Sequence, residues 1–220
     1  MIPQPESPAG EGRETMAYFP MFIELKDRCC LVAGGGRVAL CKVEVLRDFG
    51  AKVTVAAPVI LPEIREMEGV VCREKYFEKS DLAEQELVIA ATGDPEQNHR
   101  ISQICREEKI PVNAVDQKED CSFIFPAYLK EGEVVAAFSS GGQSPVITQY
   151  LKAQMRPTMT VLIGELAETL GAVREELRNT GSEVMRKRIY QEILESGLEK
   201  GTVPSQKEIE EILAKYRSKE

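Results

Sequence analysis

A short glycine-rich segment follows the first apolar run of the chain and precedes a helical pattern. Gly34, Gly35 and Gly36 come directly after residues 29–33, and Ala39 completes the spacing G-x-G-x-x-A. Glycine suits such a turn because a Cβ would block the approach of a pyrophosphate to the free N–H groups and positive dipole of the following helix. The segment therefore predicts a dinucleotide site, with a purely structural turn as the alternative.

The residues after the second apolar run do not choose between NAD and NADP. Residues 54–60 contain neither a carboxylate for a ribose 2′-hydroxyl nor an Arg for a 2′-phosphate. Both dinucleotides therefore stay open on this motif. No Lys followed by Ser or Thr stands after the glycines, which argues against a phosphate-binding loop for ATP or GTP hydrolysis.

Two polar segments follow later apolar runs, and both contain candidate site residues. Thr92 comes after residues 87–91, and Asp116 comes after residues 110–115. In an open α/β sheet, ligands bind beyond the carboxyl ends of the strands. A carboxylate in that position suits proton abstraction, so Asp116 is a candidate general base, with a turn or capping role as the alternative.

A loop of small residues with the sequence SSGGQSP, at 139–145, connects a predicted hairpin to a predicted helix. Such a loop would leave backbone N–H groups exposed at a helix N-terminus, which suits an anion such as a carboxylate. An ordinary connector is the alternative. The single histidine, His99, lies within another predicted helix, and a packing or surface role is favoured over catalysis.

The cysteine and histidine content argues against a zinc site. The chain has no C-x-x-C pair, and His99 is its only histidine. Most of the six cysteines lie in apolar runs, where a free thiol behaves as a small apolar side chain. We therefore expect reduced thiols, no metal site and a cytoplasmic location.

Charge and hydropathy exclude several classes of partner. The chain has 28 Lys and Arg against 36 Asp and Glu, a net charge of −8, whereas nucleic acid or an anionic membrane would favour a basic surface. Residues 171–220 are neutral overall, so the negative charge belongs to residues 1–170. Residues 1–17 are predicted to be a disordered tail rather than a signal peptide. No apolar stretch approaches the roughly 18 residues of a spanning helix.

The apolar pattern must position these residues, and it alternates between short strands and helices over about the first half of the chain. This alternation predicts an open α/β fold of the Rossmann type with a parallel sheet. The strands are expected at 29–33, 52–57, 70–72, 87–91 and 110–115, and the helices are expected at 38–49 and 95–108. The pattern then predicts an antiparallel hairpin and a helical region, with strands at 123–129 and 134–138 and helices at about 145–155, 158–179, 183–195 and 205–217. Asp94-Pro95 and Ser144-Pro145 each predict an N-cap followed by the first helical residue.

Several motifs in one order and register resemble the siroheme synthase N-terminal family. This is the precorrin-2 dehydrogenase of tetrapyrrole synthesis, often also a sirohydrochlorin ferrochelatase. The resemblance covers about residues 18–180 and is carried by FPMFIEL at 19–25, VAGGGRVALCK at 32–42, GAKVTV at 50–55, AAT at 90–92, VNAVD at 112–116, SFIFP at 122–126 and SSGGQSP at 139–145.

The resemblance implies a homodimer whose chain has three folded parts after the tail. An NAD-binding Rossmann domain would span 18–118, a dimerisation segment with the hairpin 119–156, and a helical C-terminal domain 157–220. It also implies NAD as the acceptor and a small tetrapyrrole as the substrate.

The resemblance also assigns residues to roles. Nucleotide contacts fall on Arg37, Val38, Pro58 and Val59, the essential Asp falls on Asp116, and a serine of the substrate cleft falls on Ser140. With the loops above, the candidate cofactor-binding residues are Gly34, Gly35, Gly36, Arg37, Val38, Pro58, Val59 and Thr92. The candidate substrate-binding residues are Ser140, Gly141, Gly142, Ser144 and Lys152.

Two positions and one C-terminal segment depart from the family's pattern. Cys41 replaces the Arg that usually precedes Lys42, and Glu131 replaces a frequent Arg of the hairpin turn. Each change removes a partner for a substrate carboxylate, and the candidate replacements are Lys130, Lys152 and Arg156. Beyond about residue 196 the chain does not match.

The leading hypothesis is NAD-dependent dehydrogenation of precorrin-2 to sirohydrochlorin, with Asp116 as the general base. A second activity would insert Fe²⁺ into the product, with Fe²⁺ as a substrate and not a bound cofactor. A dehydrogenase without chelatase activity and a non-catalytic NAD-sensing module are the alternatives. Because the substrate is a polycarboxylate and the chain is acidic, basic groups are expected around Asp116 and the Ser140 loop.

Overall fold

The computed structural model describes residues 18–217, so the tail predicted at 1–17 lies outside the described residues. The described residues divide into two compact units, which meet between Phe125 and Pro126 in the sequence. The packing of the described residues separates the chain once, after Phe125. The expected division into three parts, with boundaries at 118 and 156, remains a prediction.

The first unit is built on a five-stranded parallel sheet, which confirms the predicted open α/β fold. Its strands are β1 (Cys29–Ala33), β2 (Lys52–Ala56), β3 (Val71–Arg73), β4 (Leu87–Ala90) and β5 (Val112–Ala114). They lie in the order β3-β2-β1-β4-β5. All four residues of β4 are buried, as expected for a strand of a parallel sheet that is covered on both faces.

Three helices accompany this sheet: α1 (Arg37–Asp48), α2 (Pro62–Arg65) and α3 (Pro95–Glu107). Asp94 caps α3 as predicted, because its carboxylate accepts from the backbone N–H groups of Glu96 and Gln97. The single turn α2 was not predicted from the sequence. The buried face of α1 is Ala39, Leu40, Val43 and Leu46, whereas Val38 in its first turn is 47% exposed.

The strand order reverses between β1 and β4, which places the crevice of the sheet at their carboxyl ends. Chain connections run from β1 to β2 on one side, and β4 and β5 lie on the other. Ala33 pairs with Ala56 of β2 and with Ala90 of β4. Ligands of open α/β sheets bind at such a switch point, and both the glycine segment and Thr92 begin there.

The second unit starts with an antiparallel hairpin of β6 (Ala127–Glu131) and β7 (Val134–Phe138). The first strand was predicted from residue 123, but it starts at Ala127. The reason is that Phe123 and Phe125 pack against the apolar core of the first unit, and Pro126 has no N–H to donate to a strand partner.

Four helices follow the hairpin: α4 (Pro145–Met155), α5 (Val161–Glu176), α6 (Glu183–Lys200) and α7 (Gln206–Arg217). Helices α5, α6 and α7 share an apolar core formed by Val173, Leu177, Ile189, Ile193, Ile212 and Leu213. Helix α4 buries no residue. Among the described helices, none combines the length and the apolar composition needed to cross a membrane.

A buried carboxylate fixes the segment between β3 and β4. Asp81 is 2% exposed; its oxygens lie 2.8 Å from Arg73 Nη1 and 3.1 Å from Lys75 Nζ, and they accept from the Glu78 N–H at 2.9 Å. Burial by itself would raise the pKa of Asp81, but the Glu78 N–H and the two cations together hold it below its ordinary value.

We expect Asp81→Asn to lower the free energy of unfolding by about 1–3 kcal/mol at pH 7, because the two cations lose a buried partner. A carboxyl with a lowered folded-state pKa stabilises the fold above its unfolded pKa and loses that contribution as the pH falls through the folded value. The difference in unfolding free energy between Asp81→Asn and the unmodified protein should therefore shrink below about pH 4. Urea unfolding at pH 7 and pH 3 measures it, and an equal difference at both pH values would contradict the prediction.

Candidate functional site

The first two glycines of the glycine segment let three turns pack together. Gly34 has a φ of +134°, and a Cβ there would lie 2.0 Å from the carbonyl oxygen of Ala91. A Cβ on Gly35 would lie 2.2 Å from the carbonyl oxygen of Val59. Both contacts are with backbone, which cannot move aside cheaply. The turn after β1 therefore lies directly against the turns after β2 and β4.

The third glycine leaves open space at the start of α1. Gly36 is the N-cap residue of α1, and no side chain caps the helix. A Cβ on Gly36 would meet no heavy atom within 4 Å. The first N–H groups of an α-helix have no partner within the helix, and here they border this open space. The arrangement fits a pyrophosphate, which would lie where the side chain of any other residue would stand.

A single cleft of about 310 Å³ joins the glycine segment to the other candidate residues of the first unit. It lies beyond the carboxyl ends of the strands, where the fold predicts a ligand. Its lining includes Gly36, Arg37, Val38, Thr92, Asn98 and Asp116. Pro58 and Val59 are not among the lining residues; both are exposed, and Val59 lies against Gly35 beside the cleft.

Thr92 is held in the cleft by a side chain that the sequence reasoning missed. Asn98 is 4% exposed, and its Oδ1 accepts from the Thr92 hydroxyl at 2.8 Å and from the Thr92 N–H at 3.1 Å. The Asp94 N–H in turn donates to the Thr92 hydroxyl at 3.1 Å. The turn after β4 is therefore fixed by α3. The sequence carries a signal for Asn98, because it shares the helical spacing of the buried Ile101 and Cys105.

Asp116 lies at the cleft in a backbone conformation that few residues adopt. Its φ is +61°, in the left-handed region, and its side chain is exposed. Asp tolerates this region better than most residues, and such conformations cluster at functional sites. The carboxylate is therefore open to a ligand while its backbone is constrained.

Helix α3 holds the loop that carries Asp116. Gln117 Nε2 donates to the Pro95 carbonyl at 3.0 Å, and the Ser102 hydroxyl donates to the Asp120 carbonyl at 2.5 Å. His99 Nδ1 lies 2.7 Å from Asp120 Oδ1. His99 is thus a partner of this loop and not a lining residue of the cleft, in keeping with the packing role favoured from the sequence.

The charge of Asp116 acts on Lys42, a basic side chain of α1. Lys42 Nζ lies 4.1 Å from the centroid of the Phe125 ring, a cation–π distance. Burial lowers the pKa of Lys42, while the charges of Cys41, Asp116 and Cys121 partly oppose that shift. Lys42 belongs to the family motif, but the sequence reasoning did not include it among the site residues.

The SSGGQSP loop of the second unit uses several of its donors internally. The Gly141 N–H donates to the Ser139 hydroxyl at 3.0 Å. The Ser144 N–H donates to the Ser140 hydroxyl at 2.9 Å, and that hydroxyl lies 3.1 Å from the Ser144 carbonyl. Ser144 also caps α4 as predicted. Three loop N–H groups, including that of Gln143, are already bonded, so fewer are open to an anion than the sequence indicated.

Two basic residues of the second unit have a close neighbour: Lys152 lies near an aromatic ring, and Arg156 lies near a carboxylate. Lys152 Nζ lies 5.6 Å from the centroid of the Tyr128 ring. Arg156 Nη1 lies 3.9 Å from Glu131 Oε1, the residue that departs from the family's pattern in the hairpin turn. The positive charge of Arg156 therefore offsets the negative charge of Glu131, which stands where the family frequently has an arginine. The roles of Ser140, Gly142 and Lys152 toward a substrate remain predictions.

The cysteines carry no disulfide and no metal cluster in the described part of the chain. All six are free thiols. Burial raises the pKa of Cys30 and of Cys105 to about 12, so both stay protonated, whereas Cys41 is exposed. No three His, Cys, Asp or Glu side chains among residues 18–217 are grouped so as to hold a metal ion.

Comparison with known proteins identifies the relatives of this chain. Residues 21–127 match a family described as "Putative NAD(P)-binding". The siroheme synthase of Thioalkalivibrio sulfidiphilus is 39% identical over 184 residues, and that of Nitrosospira multiformis is 40% identical over 188 residues. The chain is similar to part of each of these siroheme synthases. The shared segment covers 82% of this chain but only 38% and 40% of those two proteins.

A solved structure supports the fold of this chain. The structure titled "SirC, precorrin-2 dehydrogenase" matches with a TM-score of 0.69 and 23% identity, over 91% of this chain and 100% of that one. The expected Rossmann-type sheet, hairpin and helical region are therefore confirmed as the fold. The family match agrees with the dinucleotide site predicted from the glycine segment.

We expect Asn98→Ala to weaken binding of NAD⁺ by about tenfold, because the Thr92 N–H and hydroxyl lose their shared acceptor at the cleft. Isothermal titration of the folded variant measures the affinity. Glu107→Ala is the control, since Glu107 is an exposed residue of the same helix and does not line the cleft. Equal affinity of Asn98→Ala and the unmodified protein would contradict a positioning role for Asn98.

Proposed function

We propose that this chain is an NAD-dependent dehydrogenase that converts precorrin-2 to sirohydrochlorin. One observation carries the proposal: Asp116 and the open N-terminus of α1 at Gly36 line the same cleft. A proton acceptor and a dinucleotide site are what removal of a proton and a hydride requires. The names of the homologous siroheme synthases and of the precorrin-2 dehydrogenase with the same fold support this substrate class.

The candidate residues of the first unit have different roles in this reaction. The N–H groups at the start of α1 would bind the pyrophosphate, and Arg37, Val38 and Thr92 would contact the rest of the dinucleotide. When bound, the nicotinamide supplies hydride acceptance. The Asp116 carboxylate accepts the proton that the macrocycle loses. The positive charge of Lys42 would attract the acidic substrate.

The residues of the second unit would contact the tetrapyrrole. We assign this role to Ser140, Gly141, Gly142, Ser144 and Lys152. Lys152 supplies a cation for a substrate carboxylate. Gly141 and Gly142 have φ values of +64° and +79°, which lets the loop keep a tight shape without side chains that would obstruct a flat ligand.

The proposal includes a homodimer in the cytoplasm. Helix α4 presents an apolar stripe at helical spacing, and no residue of α4 is buried; its exposed members are Val146, Ile147, Tyr150, Leu151 and Met155. A contiguous exposed apolar surface of this kind is typical of an interface. The six free thiols are consistent with a reducing compartment.

We expect Asp116→Asn to lower the rate of NADH formation at least about a hundredfold, since a general base contributes about 10²–10⁴ to the rate. Purified protein receives anaerobic precorrin-2 and NAD⁺, and the absorption spectrum is followed. Binding of NAD⁺ should be unchanged, because Asn also tolerates the left-handed backbone of residue 116. Asp27→Asn is the control, since Asp27 has a similar φ of +63° and does not line the cleft.

Three outcomes of this assay separate the alternatives. No NADH from the unmodified protein, with NAD⁺ bound, would leave a non-catalytic NAD-sensing module. NADH that gives no metallochlorin spectrum after Fe²⁺ is added would identify a dehydrogenase without ferrochelatase, and a metallochlorin would assign both reactions. Full activity of Asp116→Asn would remove that residue from its role.

We expect the purified chain to have the mass of a dimer, and Tyr150→Glu to shift it to a monomer, because a charge in an apolar interface is not solvated. Light scattering coupled to size exclusion measures the mass. Tyr76→Glu is the matched control, since Tyr76 is 65% exposed in the first unit and Tyr150 is 60% exposed. A monomeric unmodified protein, or a Tyr150→Glu dimer, would overturn the assignment of α4 to the interface.

A further inference from the structure

The acid that would recognise a ribose is absent from the end of β2 but present one turn later. Residues 54–60 contain no carboxylate, whereas Glu63 lies in the single turn α2. This turn is fixed against the glycine segment, because the Leu61 N–H donates to the Gly35 carbonyl at 2.9 Å. The backbone of Val59 also abuts Gly35. The position of Glu63 relative to the start of α1 is therefore determined by backbone contacts.

Glu63 pairs with the first residue of α1. Glu63 Oε1 lies 3.0 Å from Arg37 Nη1, and the two side chains are 45% and 76% exposed. Arg37 also lines the cleft. The ion pair thus connects α1 to α2 at the rim of the candidate dinucleotide site, next to the end of β2.

This location is where Rossmann-type folds distinguish the two dinucleotides. The adenosine ribose lies beyond the end of the second strand; an acid there accepts from the 2′-hydroxyl of NAD, and an Arg there binds the 2′-phosphate of NADP. This chain has one residue of each kind at the rim, and they are paired with each other. Because the guanidinium of Arg37 is paired with Glu63, it is not available to bind a 2′-phosphate. The carboxylate of Glu63 would also repel that phosphate.

We propose that Glu63 makes this site selective for NAD over NADP, an inference that rests on the proposed dinucleotide-dependent function. Its carboxylate accepts from the ribose hydroxyl and holds Arg37 away from the role of phosphate partner. Arg37 is then the residue that would bind NADP once Glu63 is neutralised. The selectivity comes from an ion pair between two helices and not from the end of β2.

The test is the affinity of the purified full chain for NAD⁺ and NADP⁺, measured by isothermal titration. The unmodified chain should favour NAD⁺. In Glu63→Gln the ratio of the two affinities should move toward NADP⁺ by about tenfold or more, because a charge-assisted contact is gained and a repulsion is lost. Arg37→Ala in the Glu63→Gln background should remove most of the gain in NADP⁺ affinity.

A matched ion pair outside the site provides the control. Glu86 Oε2 lies 2.9 Å from Arg28 Nη1 and is 49% exposed, so Glu86→Gln breaks a comparable pair away from α2 and should leave the ratio unchanged. Equal affinity of the unmodified chain for both dinucleotides, or an unchanged ratio in Glu63→Gln, overturns the inference and leaves the proposed dehydrogenase intact. Failure to bind either dinucleotide overturns both. A thermal unfolding curve of Glu63→Gln that matches the unmodified chain excludes misfolding as the cause.

Discussion

The turn after β1 lies in backbone contact with the turns after β2 and β4, and the arrangement of the first unit depends on this contact. Any Cβ at Gly34 or Gly35 would overlap a carbonyl group of the neighbouring turn. Because the three turns cannot separate without breaking the parallel pairing of their strands, the glycines fix the shape of the crevice. Gly36 can then leave its side-chain space open at the helix N-terminus, where an anion is favoured.

Around that crevice, α3 acts as a support for two other loops. Asn98 binds the turn that carries Thr92, and Ser102 and His99 bind the loop that carries Asp116. The strained backbone of Asp116 is therefore held by contacts outside the cleft. One helix therefore holds two of the loops that line the cleft.

The net charge of −8 must be reconciled with the two anionic ligands proposed for this chain, a dinucleotide and a polycarboxylate. In the first unit, Lys42 interacts electrostatically with Asp116, and the N-terminus of α1 adds partial positive charge. In the second unit, Arg156 offsets Glu131, and Lys152 lies near Tyr128. Local groups of this kind oppose the long-range repulsion, which is screened over about 8 Å at physiological ionic strength.

The sequence by itself determined the strands and helices and the types of polar residue that follow the strands. This was possible because apolar periodicity, glycine spacing and helix caps are local properties of the chain. The α/β alternation, the cap formed by Asp94 before α3, and the placement of Asp116 after a strand could all be predicted. Only the tertiary structure decided which side chains act together. Glu63 reaches Arg37 because parallel strands return successive helices to the same edge of the sheet, and Asn98 reaches Thr92 because α3 folds back onto it. Such pairings depend on the twist and register of the sheet, and no sequence motif encodes these distances.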